Sequence, residues 1–193
     1  MRIYSFHNAD NQAYLYAPHH VVTGCTPDPP RSLAKGWSSP TFELIGKDEI
    51  HSFLPKTDFP TFALATPILS ARAVERLRSI LELCGEVLPI RLSNDRDTFY
   101  LFNVTRVINA VSMQRSQFMN LPSGAIGPCE RLVFDSEKIP DDALFFKNTQ
   151  MGAITDLFAT QAAVDAVKKA RLEGCDFRLA WTSELERRAS RKP

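Results

Sequence analysis

One capped amphipathic stretch followed by two apolar runs constrains this chain more than any other part of it. Ser70 stands where a hydroxyl can accept from an orphan backbone N–H at a helix start. Val74, Leu77, Leu81 and Cys84 then recur at helical spacing and Ile80 widens the stripe, while Arg72, Glu75, Arg76 and Arg78 fall outside that row. The spacing predicts a helix over 71–84, with Gly85 as its left-handed terminator. Residues 87–92 read as a strand that Pro89 pushes toward a sheet edge. A polar turn at 93–96 leads into a second strand over 98–104, rich in Phe and Tyr, and the two strands form an antiparallel hairpin.

The first 55 residues give fewer periodic signals. Residues 14–16 and 42–45 are short strand candidates. Between them, residues 18–40 carry Pro27, Pro29 and Pro30 in close succession, which blocks regular helix and central strand and predicts an irregular loop. After the hairpin, 119–130 reads as loop, 131–134 and 143–146 as strands joined by 136–142, and 153–157 as a further short strand. Thr160 is placed to cap a second helix through about residue 172, ended by Gly174. Residues 175–181 then alternate, with Phe177, Leu179 and Trp181 on one face. The order helix, Gly, strand thus occurs twice. The expected fold is α+β: a single domain over 1–186, mostly antiparallel sheet, with two principal helices at about 71–84 and 161–172.

A chain of 193 residues buries a substantial core. Its formal net charge of +1 argues against a global nucleic-acid or membrane field. Four basic groups sit in residues 187–193, a tail expected to be solvated and frayed. Removing them leaves −3 for residues 1–186. Cys25, Cys84, Cys129 and Cys175 are widely spread with no Cys-x-x-Cys, the pattern of reduced thiols in a cytoplasmic protein. Neither a signal-peptide h-region nor an apolar run of membrane-spanning length is visible, so a cytoplasmic location is expected.

Catalytic chemistry finds little to stand on. His19 and His20 with Cys25 could suggest a metal or a Cys–His pair, but adjacent histidines chelate one ion poorly and no second pair completes a set. No nucleophile elbow, phosphate loop or cofactor motif is present. The aromatic run 99–102 lacks interleaved Arg or Lys and reads as core rather than as a stacking platform for single strands. What remains is surface for a protein partner. Trp37, in the Pro-rich segment, either caps the core edge or anchors a partner. Asp135, Glu137, Asp141 and Asp142 place four acids within eight residues, either a solvated loop or a patch that steers a basic partner.

The chain also carries a series of spaced motifs: Asp58-Phe59, then Pro67 to Ser70, Glu86 to Ile90, Tyr100 to Val104, Asn109-Ala110 and Ser116. The ending adds 143–146, Ile154 and Leu172 to Phe177. Together they resemble the eleventh immunity-protein family of bacterial polymorphic toxin systems, over about two thirds of the chain. One departure is that Val111-Ser112 stands where the family pattern has Leu-Asp. The resemblance implies a cytoplasmic, non-enzymatic protein without metal or cofactor. It would bind one cognate toxin, with an HNH (His-Me finger) DNase favoured, and neutralise it by stoichiometric occlusion in a heterodimer. It implies no direct contact with nucleic acid or membrane. The candidate contacts are Trp37, Asp135, Glu137, Asp141 and Asp142. The alternatives are an enzyme reversing a toxin's modification, with His19, His20 or Cys25 in its site, and an adaptor unconnected with any toxin.

Overall fold

The computed structural model describes residues 1–63, 66–120, 126–150 and 156–184. In chain order the elements are β1 (Arg2–Asn8), β2 (Tyr14–Tyr16), α1 (His19–Cys25), β3 (Thr41–Ile45), β4 (Ile68–Ser70), α2 (Ala71–Cys84) and β5 (Gly85–Leu92). Then follow β6 (Phe99–Val104), β7 (Gln117–Asn120), β8 (Ile126–Arg131), β9 (Phe145–Lys147), β10 (Leu157–Thr160), α3 (Gln161–Lys169) and β11 (Cys175–Thr182). A four-stranded antiparallel sheet has the order β11-β1-β10-β9. A five-stranded sheet has the order β2-β3-β5-β6-β4, parallel only between β3 and β5, and β7 pairs with β8. The fold is α+β, as the alternation of periods predicts.

Both sheets are built on one device. β4 runs straight into α2, which leads back into β5, and β6 fits antiparallel between β4 and β5. β10, α3 and β11 repeat this with β1 as the inserted strand. The caps Ser70 and Thr160 are followed at the same offsets by buried Ala73, Val74 and Leu77 in α2 and by Ala163, Val164 and Val167 in α3. Those side chains share one core with Leu69, Phe102, Phe145, Leu157 and Ala159 from both sheets. Burying each Val or Leu contributes about 1.5–3 kcal/mol, so the seam joins the halves strongly. The repeated helix-Gly-strand order is therefore a repeated packing unit. Arg72 and Arg76, which lie off the apolar row, donate to the carbonyls of Arg171 and Ala170, orphaned where α3 ends.

The outer faces are covered by irregular chain. α1 and the segment after it close the five-stranded sheet: Cys25, with the partly buried Val21, Val22, Leu33 and Trp37, packs over Phe42, Leu88, Phe99 and Leu101. Residues 108–111 and 134–143 close the other sheet, with Ile108, Val111, Phe134 and Ile139 packed over Ile3, Phe146, Phe158 and Trp181. The aromatic β6 is thus core on both faces.

Several expectations need correction. The 18–40 segment is not wholly loop. Residues 19–25 contain no proline, Pro18 sits harmlessly at the helix entry, and α1 forms before the proline cluster begins. The second helix stops at Lys169 rather than 172, and Arg171 and Gly174 take positive φ in the turn that follows. Thr160 occupies its cap position, but its hydroxyl donates to Ala143 O instead. Gly85 is not left-handed. It is extended and opens β5, where an added Cβ would lie 2.1 Å from Asn103 O, so close approach requires glycine there.

Pro89 lies in a strand flanked on both sides, yet β3 joins β5 only at Arg91 and Leu92, which leaves the proline on a local edge. A bulge opposite Ile3 and Tyr4 skips Ala180, so Trp181 packs in the second core while Phe177 stays with the first and Leu179 meets solvent. β7 and β8 form a hairpin where a loop was expected, and Phe134 makes only a single bridge, to Val111. The tail 187–193, Ile154 and most of the strand expected at 153–157 lie outside the described residues.

Candidate functional site

The polar residues of the spaced motifs hold irregular backbone in place. Asp58, buried beside the start of α2, accepts the Ser70 hydroxyl (2.7 Å), the Arg72 guanidinium through both oxygens and the Glu173 N–H (3.1 Å). Ser70 in turn caps α2 by accepting Ala73 N–H (3.1 Å). Burial opposes ionisation of Asp58, but Arg72, Ser70 and Glu173 together hold its carboxyl below the usual range. Asp58, Arg72 and Glu173 line a cleft of about 450 Å³ with Lys56, Thr57, Asp97 and Phe99. Lys56 there bridges Asp95 and Asp97.

Glu86 performs the same service for the segment before β3. It accepts the Ser32 hydroxyl, Leu33 N–H (2.8 Å) and Ala34 N–H, while Asn103 donates to Glu86 and to Arg31 O. Asn109 accepts from Thr149 through both backbone and hydroxyl. Ser116, buried, pairs with Val133 N–H and carbonyl. Ser112, at the position where the resembled pattern has Asp, accepts Arg115 Nε (3.1 Å).

Trp37 is half-buried against the five-stranded sheet, and its indole donates to Pro89 O (2.8 Å), on the edge left open by the late start of β3. Asp135 bridges Arg115 and Lys138; Lys138, then Arg115, keep its carboxyl below the usual range. Asp142 pairs with Arg106 (2.7 Å). Glu137 and Asp141 are exposed. Ile139 and Ala143, buried in the second core, fasten this acidic segment to the body. The segment therefore presents two open carboxylates and two whose charge is offset. Trp37 lies over the opposite sheet, so the structure does not bring the five candidates into one cluster.

The residues of the catalytic alternative lie at opposite ends of α1. Cys25 is buried at the end of α1 and burial pushes its thiol up to about 11, whereas reactive cysteines are exposed thiolates. His19 and His20 lie exposed at the other end of α1. Among the described residues no group of three His, Cys, Asp or Glu is placed to hold a metal ion, and no helix is long and apolar enough to cross a membrane.

Sequence reading missed one feature. Ile50 and Phe53 project into solvent from a tightly bonded loop over 46–55. The signal available was two large apolar residues within a charged, non-periodic stretch.

No curated protein matches the chain. Residues 90–182 match the model of the Immunity protein family (Imm11). This segment runs from Ile90 in β5 to Thr182, the last residue of β11, and contains β10, α3 and β11 of the second helix-bearing unit and the whole acidic segment. Over that stretch, just under half of its length, the chain is similar to the Imm11 immunity protein family.

Proposed function

We propose that this chain is an immunity protein that neutralises a cognate antibacterial toxin by stoichiometric occlusion in the cytoplasm of the producing cell, and that the toxin is a nuclease of the HNH (His-Me finger) class. The observation that carries the reading is the family match over 90–182. The nuclease class follows from the resemblance set out above and suits the acid surplus of residues 1–186, because an enzyme that cleaves DNA presents a basic surface to phosphates. Occlusion fits the site: rigidly held loops around a well-packed core offer shape to a partner. Glu137 and Asp141 are the open charges of the acidic segment, with Asp135, Asp142 and Trp37 supporting the surface from their paired positions.

The test is growth of cells expressing the C-terminal domain of the toxin encoded beside this gene, with and without this protein, together with co-purification. Rescue with a one-to-one complex is expected, and rescue without a complex would overturn occlusion. Glu137→Lys with Asp141→Lys should slow association about tenfold at low salt and flatten its salt dependence. Unchanged rates would remove the acidic segment from the interface.

A further inference from the structure

Ile50 and Phe53 are the two most exposed large apolar side chains among the described residues, at 86% and 74%. They stand three residues apart on a loop that is not loose. The Asp48 carboxylate accepts Ile50 N–H (2.9 Å), His51 N–H (2.6 Å) and the His51 ring (3.0 Å). Asp48 N–H reaches back to His51 O, and Leu54 N–H closes the base on Gly46 O (2.7 Å). Ala13 N–H on Pro55 O ties the loop's end to the start of β2, and Leu54 is buried as its anchor. The fold thus spends hydrogen bonds on holding two apolar groups in water. That arrangement lowers the ordering cost of binding, because the backbone that carries the anchors is already held in place.

The surroundings narrow the occupant. The loop leaves β3 at Ile45, opposite Tyr14, and Tyr16 two residues along β2 is itself 59% exposed opposite Glu43. Glu43, Asp48 and Glu49 outnumber Lys47 over residues 43–50. A twofold dimer through this loop would set those acids against their own copies. An anionic lipid surface would be repelled in the same way. An apolar socket rimmed by Lys and Arg on a protein partner satisfies both the aromatic anchors and the acids.

We infer that the 46–55 loop is the principal anchor on the cognate toxin domain, with Phe53 and Ile50 entering an apolar socket bordered by basic residues. The inference rests on the immunity reading and names the surface that carries it. It lies outside the segment matched to the family.

The experiment measures the dissociation constant for the C-terminal domain of the toxin encoded beside this gene, in a catalytically inactive form, by calorimetry. It compares the full chain, Phe53→Ala, Ile50→Ala and Leu83→Ala, the last a control at another exposed apolar residue, on α2. Phe53→Ala is expected to weaken binding at least about 30-fold and Ile50→Ala about tenfold, the behaviour of interface hot spots. Leu83→Ala should change nothing. Melting temperatures should hold, since both side chains already face water. Changes under threefold for both loop variants, with the parent chain still binding, overturn the inference and leave the immunity reading standing. Failure of the parent chain both to bind and to rescue overturns that reading and the inference with it. A parent dimer that Phe53→Ala dissociates, with toxin affinity unchanged, assigns the loop to self-association and also overturns the inference.

Discussion

Replacing Asp58 by Ala tests the claim that one buried carboxylate fastens the start of α2 to the turn before β11. Three groups lose their acceptor: the Ser70 hydroxyl, the Arg72 guanidinium and the Glu173 N–H. Arg72 is half-exposed and turns to water, which limits that pair to about 1 kcal/mol. Ser70 and Glu173 line the cleft and are partly rehydrated, so each loses about 1 kcal/mol. The expected loss is about 3 kcal/mol, or about 6–12 °C in Tm for a protein of this size. Denaturant melts at pH 7, and again between pH 6 and 3, are the assay. The folded carboxyl titrates below its ordinary value near 4. Its contribution is therefore complete above that value and fades as pH falls through the lower folded pKa. The parent protein should lose this increment on acidification, while Asp58→Ala, lacking it already, should show a shallower acid limb. A loss below about 1 kcal/mol, the level of an ordinary surface change, with an unaltered acid limb would refute the reasoning.

Two further predictions concern buried groups. Lys147 is buried to 3% exposure in β9, and among the described residues no hydrogen bond or ion pair reaches its ammonium. Burial lowers its pKa, with Asp28 acting weakly the other way. Lys147→Met should stabilise the protein by about 1–3 kcal/mol at pH 7 in denaturant melts, because the charge need no longer be buried. The gain should shrink as pH rises through the lowered folded pKa toward the ordinary value, since the parent then holds a neutral amine. Gly85→Ala drives a methyl against the Asn103 carbonyl and should cost about 3 kcal/mol at the β5–β6 hairpin, read by the same melts. A neutral substitution would show that the two strands can separate at no cost.

Local order was readable wherever one short-range rule dominates. The helix at 71–84, its Ser70 cap and the following hairpin lie where spacing puts them, because a 3.6-residue period bounded by a hydroxyl cap admits few alternatives. Residues 14–16 and 42–45 likewise fall in strands. Errors gather where the deciding contact is distant. Composition argues against α1 within a proline-rich span, yet Val21, Val22 and Cys25 gain a sheet face to bury against. The expected single face of Phe177, Leu179 and Trp181 breaks at a bulge set by pairing with β1, from the far end of the chain. The candidate surface divides in the same way. An acid count finds the 135–142 segment but not the partners of Asp135 and Asp142, since Arg115 and Arg106 arrive only through folding.

The amino-acid order alone determined the α+β class, the long capped helix, the central hairpin and, through spaced motifs, the similarity to an immunity family. Each depends on neighbours within one or two turns or on a pattern carried along the chain. Tertiary structure decided that two helix-bearing units share a core, that Asp58 and Glu86 clamp distant segments, and that Ile50 and Phe53 face water while Leu54, next to Phe53, does not. Exposure is a property of what else folds nearby, and no local period encodes it.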